Sequence, residues 1–380
     1  MHRFLLFVIT LFILSPTVQA QETPCDNQQC MLVVDAGSTG SRAHLYTYKI
    51  DTTQSPIEIK EIWSKKVKPG LASLEINQNT LDAYLVTLLS SAPTHKQIPV
   101  YFYATAGMRL LPSAKQQMIY HQLQQWFSHQ SQWQLVDAKT ITGSQEALYD
   151  WLSVNYHLGT LQDIQNQSVG VMDMGGASVQ IVFPVQDANP IKNSNQLVEF
   201  NLYGQHLKLA VYSFLGLGQT EMSHQFLNSA SCFANEYPLP DGALGQGDAP
   251  SCELEVSSLM NGVHKVDKTI QPLLASNPVS HWYSIGGISF LASNPIFHFD
   301  NEQLTNQHLL QQADTAICHQ QWGSLNTQYP NDEYLYQLCL FSAYYYALMV
   351  DGYGLYPDET INYLSPDKNI DWTTGVVLHH

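Results

Sequence analysis

Met31-Leu32-Val33-Val34-Asp35-Ala36-Gly37-Ser38-Thr39-Gly40-Ser41-Arg42 decides the reading of this chain. A short apolar run ends on an aspartate and breaks into a turn of glycines and hydroxyl residues. The alternating residues 43–48 follow, so the stretch reads as strand, polar turn, strand. Val171-Met172-Asp173-Met174-Gly175-Gly176-Ala177-Ser178 repeats the plan, with 178–184 as the returning strand. Two hydrophobic-hydrophobic-Asp-x-Gly units, about one domain length apart, are too far separated for a solenoid. They suit two related domains that face each other.

Such a turn can aim successive backbone N–H groups into one concavity, which suits an anion. Ser38, Thr39 and Ser41 add hydroxyl donors, and Arg42 adds positive charge. Asp35 cannot serve an anion directly, but it can hold, directly or through water, a hard divalent cation that bridges phosphate oxygens. Asp173, Gly175, Gly176, Ala177 and Ser178 repeat this set, so a phosphate chain held between the two domains is expected. Glu146 follows the polar turn Thr142-Gly143-Ser144 and starts a helix. It is the candidate general base, although a carboxylate there also stabilises a helix N-terminus. Ser178 and Gln180 point the same way from an extended segment and could hold a water for in-line attack on a terminal phosphorus. The chain has no H-E-x-x-H, G-x-S-x-G, G-x-x-x-x-G-K-[ST] or G-x-G-x-x-G pattern.

The 380 residues are 44% hydrophobic and 13% charged with a net charge of −16, which gives full cores for about two domains and excludes a disordered chain. The acidic balance speaks against nucleic acid as a partner. Arg3, the apolar residues 4–14, the break at Ser15-Pro16 and the small-residue site Val18-Gln19-Ala20 read as an export signal, residues 1–20, with the mature chain starting at Gln21. An uncleaved anchor is the other reading of that segment. Cys25 lies too far past the cut for a lipid-modified terminus. No later stretch suits membrane insertion, so a secreted, periplasmic or extracellular protein is expected. Six cysteines form an even set in such a chain, and short separations favour Cys25–Cys30, Cys232–Cys252 and Cys318–Cys339. A metal cluster would compete, but C-x-x-C is absent. Helices are expected at 80–92, 113–130, 146–156 and 334–350, and a final strand at 372–378.

In order, Asp35 to Arg42, Tyr103-Ala104-Thr105-Ala106-Gly107-Met108-Arg109, Ile141-Thr142-Gly143-Ser144-Gln145-Glu146, Asp173 to Ile181 and Ser284-Ile285-Gly286-Gly287 resemble the five conserved regions of the apyrase, or nucleoside triphosphate diphosphohydrolase, family. Asp371-Trp372-Thr373-Thr374-Gly375 also looks familiar, and the missing membrane-spanning ends make the chain look like the secreted bacterial members. The resemblance implies an α/β, two-lobed fold of the actin and sugar-kinase (ribonuclease H-like) type, with lobe I at 21–155 plus 347–380 and lobe II at 156–346. It implies hydrolysis of nucleoside tri- and diphosphates (ATP, ADP, GTP, GDP) to the monophosphate, with Ca2+ or Mg2+. Glu146 would be the base, Ser178 and Gln180 would position the water, and Asp35 and Asp173 would hold the cation largely through water. Thr105 and the loop residues Gly37, Ser38, Thr39, Gly40, Ser41, Arg42, Gly175, Gly176 and Ala177 would take the phosphates. Many relatives carry two acids and then Gly where this chain has Gln145-Glu146-Ala147, so the helix start is open to difference. A base held by stacking has candidates in Phe290, Tyr334 and Tyr346, although a Tyr344-Tyr345-Tyr346 run must be partly core. A monomer is expected. An exopolyphosphatase-like hydrolase is one rival and would need basic residues along a long channel, of which the chain has few. A non-catalytic exported nucleotide-binding protein is the other.

Overall fold

The computed structural model describes residues 24–75, 77–93, 97–163, 169–368 and 370–380, so the expected export signal at 1–20 lies outside the described residues. The first sheet joins β1 (Gln29–Ala36), β2 (Ser41–Ile50), β3 (Pro56–Val67), β4 (Ile98–Ala104) and β5 (Trp133–Thr140) in the order β3-β2-β1-β4-β5. The second joins β6 (Gly170–Met174), β7 (Ser178–Pro184), β8 (Leu197–Leu202), β9 (Gln205–Leu215), β10 (Trp282–Gly286), β11 (Gln303–Thr305) and β12 (Thr360–Tyr363) in the order β11-β12-β10-β6-β7-β9-β8.

The two sheets share one plan. In each, the strand that ends in Asp-x-Gly pairs antiparallel with the strand after the turn and parallel with a later strand. Asp35 stands opposite Arg42 and Tyr103, and Asp173 stands opposite Gln180 and Ile285, so the registers correspond. A strand buried on both faces needs an apolar run without alternation. Met31-Leu32-Val33-Val34 supplies it. Leu32 and Val34 pack outward with α1 (Gln78–Leu89) and α3 (Ser113–Ser128), while Met31 and Val33 pack inward. The short α2 (Ala106–Arg109) follows β4 directly.

Between the sheets lies a helical layer of α4 (Gly143–Leu158) and the last helix, Thr373–His379. Helix α4 begins three residues before Glu146. Thr142 Oγ1 accepts from Gln145 N at 3.1 Å and Gln145 Oε1 accepts from Thr142 N at 3.0 Å, a reciprocal cap. Gln145 thereby takes the terminal role and Glu146 is left for other work. The helix ends at Gly159 in the left-handed region, φ 73°. Residues 372–378 were expected as a strand from their Val-Val-Leu run, but they form this last helix. Asp371 Oδ1 accepts from Thr373 N at 2.9 Å and starts the turn, and Val376 and Val377 pack in the middle layer. Tyr46 OH meets Thr373 Oγ1 at 2.7 Å and ties the helix to the first sheet. Within 347–380, Leu364, Ile370 and Trp372 also pack into the middle layer. Leu348, Met349 and Ile361 lie in the core of the seven-stranded side, and β12 belongs to its sheet.

That core also contains two of three disulfides, Cys232–Cys252 and Cys318–Cys339, and Cys25–Cys30 braces the start of β1. The expected helix 334–350 is broken into a 3-10 turn Leu335–Gln337, an α-helix Leu338–Tyr346 and a wider π-turn Ala347–Gly352.

The last helix meets α4 most closely at Gly375, where an added Cβ would lie 2.1 Å from the Tyr149 carbonyl oxygen. Backbone cannot step aside cheaply, so Gly375→Ala is expected to cost about 1–3 kcal/mol, the usual range for overpacking, read as a lowered thermal midpoint. Gly323→Ala, with nothing within 4 Å of its Cβ, is the matched helical control and is expected to melt no lower than wild type.

Candidate active site

The two Asp-led turns meet at one cleft of about 310 Å³. Gly37 to Gly40 and Arg42 line it from the first sheet, and Gly175 to Ser178 from the second. Their approach is close: a Cβ on Gly176 would fall 2.7 Å from Ser38 Oγ, so only glycine fits there without displacing the serine. In the second turn the carbonyls of Gly175 and Gly176 accept from Gln219 N and Thr220 N at 2.9 and 2.8 Å. A trans peptide points its N–H opposite its carbonyl. The N–H groups of Gly176 and Ala177 therefore face away from that helix start, toward the cleft that both residues line. Thr105, at the end of β4, lines it too, and residues 364–366 and 370–372 close one wall. Ser41 does not line it. It is fully buried on β2, and alternation along the strand sends Arg42 into the cleft instead.

Glu146 enters from α4 and is held from behind. Arg109 Nη2 donates to its Oε2 in a buried ion pair, and Gln180 Nε2 donates to the same oxygen at 3.0 Å. Oε1 is the oxygen left to accept a proton. Gln180 Nε2 also donates to Ser178 Oγ at 2.8 Å, which leaves the Ser178 hydroxyl to donate into the cleft. Ser213, opposite Gln180 on β9, stands 3.5 Å from Arg109 Nη1. Burial raises the Glu146 pKa and the Arg109 charge opposes that rise, with a net upward shift. A carboxylate so placed is a stronger base than one in water. Ser178 lines the cleft, whereas Gln180 is buried behind it.

Charge in the cleft is lopsided. Asp35, Glu146, Asp150, Asp173 and Asp371 line it against Arg42 and Lys66. Burial, then Asp371, pushes Asp35 up to about 8; burial, then Glu146, pushes Asp173 up to about 7. Asp35 Oδ1 and both carboxylate oxygens of Asp150 are buried without a hydrogen-bond partner among the described residues. Oxygen donors short of positive charge fit a hard divalent cation. No three acidic, His or Cys side chains among the described residues are gathered tightly enough to hold an ion directly.

Residues 21–248 and 243–380 match the GDA1/CD39 (nucleoside phosphatase) family. The chain belongs to that family. It is 27% identical over 407 residues to "Probable apyrase 4" of Arabidopsis thaliana, covering 91% of this chain and 78% of that protein. It is 26% identical over 459 residues to "Ectonucleoside triphosphate diphosphohydrolase 7" of Homo sapiens, covering 95% and 74%. Its fold is similar to solved nucleoside triphosphate hydrolases from Neospora caninum, with a TM-score of 0.63 at 16% identity over 93% and 92% of the two chains. It is also similar to the PPX-GPPA enzyme of Aquifex aeolicus, with a TM-score of 0.55 at 14% identity over 93% and 99%. The two-lobed, actin-like α/β architecture is common to these. The protein is thus an enzyme of the apyrase, or nucleoside triphosphate diphosphohydrolase, kind.

Within this nucleoside phosphatase, sequence reasoning named the loops and Glu146 but assigned no work to Arg109, Asp150, Ser213 or Asp371. Arg109 and Asp371 stood inside motifs already singled out, and Asp150 is four residues after Glu146, one helical turn on the same face. Ser213 was given no role from its own stretch of sequence, and the β7–β9 register is what brings it opposite Gln180. Of the three aromatic candidates, Phe290 lines the cleft and is 68% exposed. Tyr334 is exposed in a second hollow with Asn294, Pro295 and Asp332, and Asn294 Nδ2 donates to Asp332 Oδ2 at 2.7 Å. Tyr346 lines neither and sits near Asp351 and Glu253, since the helix turns it away while Tyr344 and Tyr345 fill the core.

Asp371 is anchored from below. His44, fully buried, meets Glu61 Oε2 through Nδ1 at 2.6 Å, and its Nε2 lies 3.1 Å from Asp371 Oδ2, an ion-pair distance off the line of a hydrogen bond. Burial pulls the His44 pKa down, but Asp371 and Glu61 outweigh it and the net shift is upward. A group with a raised folded pKa stabilises fully below its unfolded value, about 6.5, and loses that contribution as pH climbs through the folded value. The gap in melting temperature between wild type and His44→Gln should be widest below about pH 6.5 and narrow as pH rises beyond it. A gap that ignores pH would mean the Asp371–His44–Glu61 chain is not ionic.

Proposed function

We propose that this enzyme removes the terminal phosphate of nucleoside tri- and diphosphates in succession, ending at the monophosphate. The observation that carries the reading is the Glu146 carboxylate, pinned at Oε2 by Arg109 and Gln180 with Oε1 left over, beside two phosphate-sized turns. Water held by Ser178 and Gln180 attacks the terminal phosphorus in line. Its proton passes to Glu146 Oε1, the bond from phosphorus to the bridging oxygen breaks, and inorganic phosphate leaves. Arg109 opposes the rise that burial imposes on the Glu146 pKa and fixes its direction. Gly37, Ser38, Thr39, Gly40, Arg42, Thr105, Gly175, Gly176 and Ala177 hold the phosphate chain.

Asp35 and Asp173, with Thr105 nearby, would hold a Ca2+ or Mg2+ ion through its waters, which supplies the positive charge the substrate's phosphates lack in this cleft. Five lining carboxylates against Arg42 and Lys66 favour a short nucleotide chain that arrives with a cation over a long bare polyphosphate. The base stacks on Phe290 at the cleft, with Tyr334 of the second hollow as its other candidate contact. Export after removal of residues 1–20 is part of the reading. Three disulfides support it, since such bonds persist in oxidising compartments. No helix among the described residues is long and apolar enough to cross a membrane.

Glu146→Gln keeps the shape and removes the base. With ATP, phosphate release should fall about 10²–10⁴-fold while binding of a non-hydrolysable ATP analogue stays near wild type. Turnover close to wild type would remove Glu146 from the mechanism. For the base contacts, Phe290→Ala and Tyr334→Ala should each raise KM for ATP by the equivalent of about 1–3 kcal/mol of stacking, with little change toward inorganic triphosphate, which has no base. Equal losses on both substrates would assign these aromatics to the fold.

A further inference from the structure

Helix α4 brings two carboxylates to the cleft, and the mechanism uses one of them. Asp150 lies four residues beyond Glu146, on the same helix face. It is 1% exposed and lines the cleft, and neither carboxylate oxygen finds a donor among the described residues. The charges that act on it most strongly, those of Asp173, Glu146, Asp371 and Asp35, are all acidic. Arg109, the cation on the same side of the site, is already engaged by Glu146.

A buried carboxylate with no donor and acidic neighbours is costly. A packing role could be filled by any residue of that volume. What distinguishes Asp150 is two acceptor oxygens aimed into a cleft whose other occupants also lack positive charge. A cation's bound water is a strong hydrogen-bond donor, and carboxylates that accept from such waters orient and strengthen a site. We propose that Asp150 is a third holder of the divalent cation, its free oxygens accepting hydrogen bonds from the cation's waters alongside Asp35 and Asp173. This rests on the cation reading given above. It makes α4 a two-part element, with Glu146 serving the attacking water and Asp150 serving the water shell one turn deeper. Asp150 is a positioning residue, and its effect should appear in cation affinity before any substrate is present.

The test uses Mn2+ as the probe on the purified enzyme without nucleotide, with free ion counted by electron paramagnetic resonance. Asp150→Asn, which keeps the volume and removes the charge, is expected to weaken Mn2+ binding about 10–100-fold, and Asp173→Asn to weaken it at least as much. In chelator, Asp150→Asn should melt at or above the wild-type temperature, and the rise produced by adding Mn2+ should shrink. Wild-type Mn2+ affinity in Asp150→Asn, with Asp173→Asn weakened, overturns the role of Asp150 and leaves the cation site standing. Unchanged affinity in both variants overturns the cation site and the proposal together. An Asp150→Asn protein that melts lower in chelator, or fails to fold, makes Asp150 a packing residue and overturns the proposal.

Discussion

Repulsion among the cleft carboxylates is the constraint the rest of the structure answers. Asp35, Glu146, Asp150, Asp173 and Asp371 share a site with Arg42 and Lys66, and like charges so gathered resist removal from water. Three of the five are answered from within the protein. Glu146 has Arg109 and Gln180, Asp371 has His44 behind it, and Asp173 accepts a backbone hydrogen bond at Met174. Asp35 Oδ1 and Asp150 are left without a donor. The cleft thus carries a deficit of positive charge, which a bound dication would offset for the carboxylates and for a polyanion alike.

Rigidity around that site comes from the middle layer. Two sheets with one plan present their Asp-led turns to each other only because α4 and the last helix keep them at a set distance. Helix α4 is buried from Glu146 to Asn155, and its two carboxylates, Glu146 and Asp150, face the cleft. The reciprocal cap at Thr142 and Gln145 fixes where the helix starts and hence where both carboxylates point. The last helix closes the layer and carries Asp371 and Trp372 at its entrance to the cleft wall.

The hairpin registers explain why one short motif does the same work twice. Asp35 opposite Arg42 and Asp173 opposite Gln180 are equivalent positions, filled differently. The first turn puts a guanidinium into the cleft, and the second puts an amide behind Glu146. The repeated register gives a symmetric pair of turns, and the two different side chains make the pair directional.

Much of this was written in local pattern. The paired Asp-x-Gly turns, the apolar runs before them and the short cysteine separations depend on neighbours along the chain, and the strands, turns and disulfides follow from them. Glu146, Ser178 and Gln180 were legible because their motifs are contiguous. Other features were invisible to any local rule. Residues 372–378 carry strand-forming valines, yet a cap by Asp371 and a groove on α4 made them helical, tertiary packing overriding propensity. Ser41 reads as a phosphate donor, but strand alternation buries it. Ser213 and Asp150 gain meaning only when sheet register and helix face bring them beside Glu146, and Tyr346 loses its candidacy when its helix turns it from the cleft. The sequence by itself determined the elements and the chemistry of each turn, because those depend on short-range geometry. Only the tertiary structure decided which charges share a cleft, because electrostatic neighbours are set by distance in space.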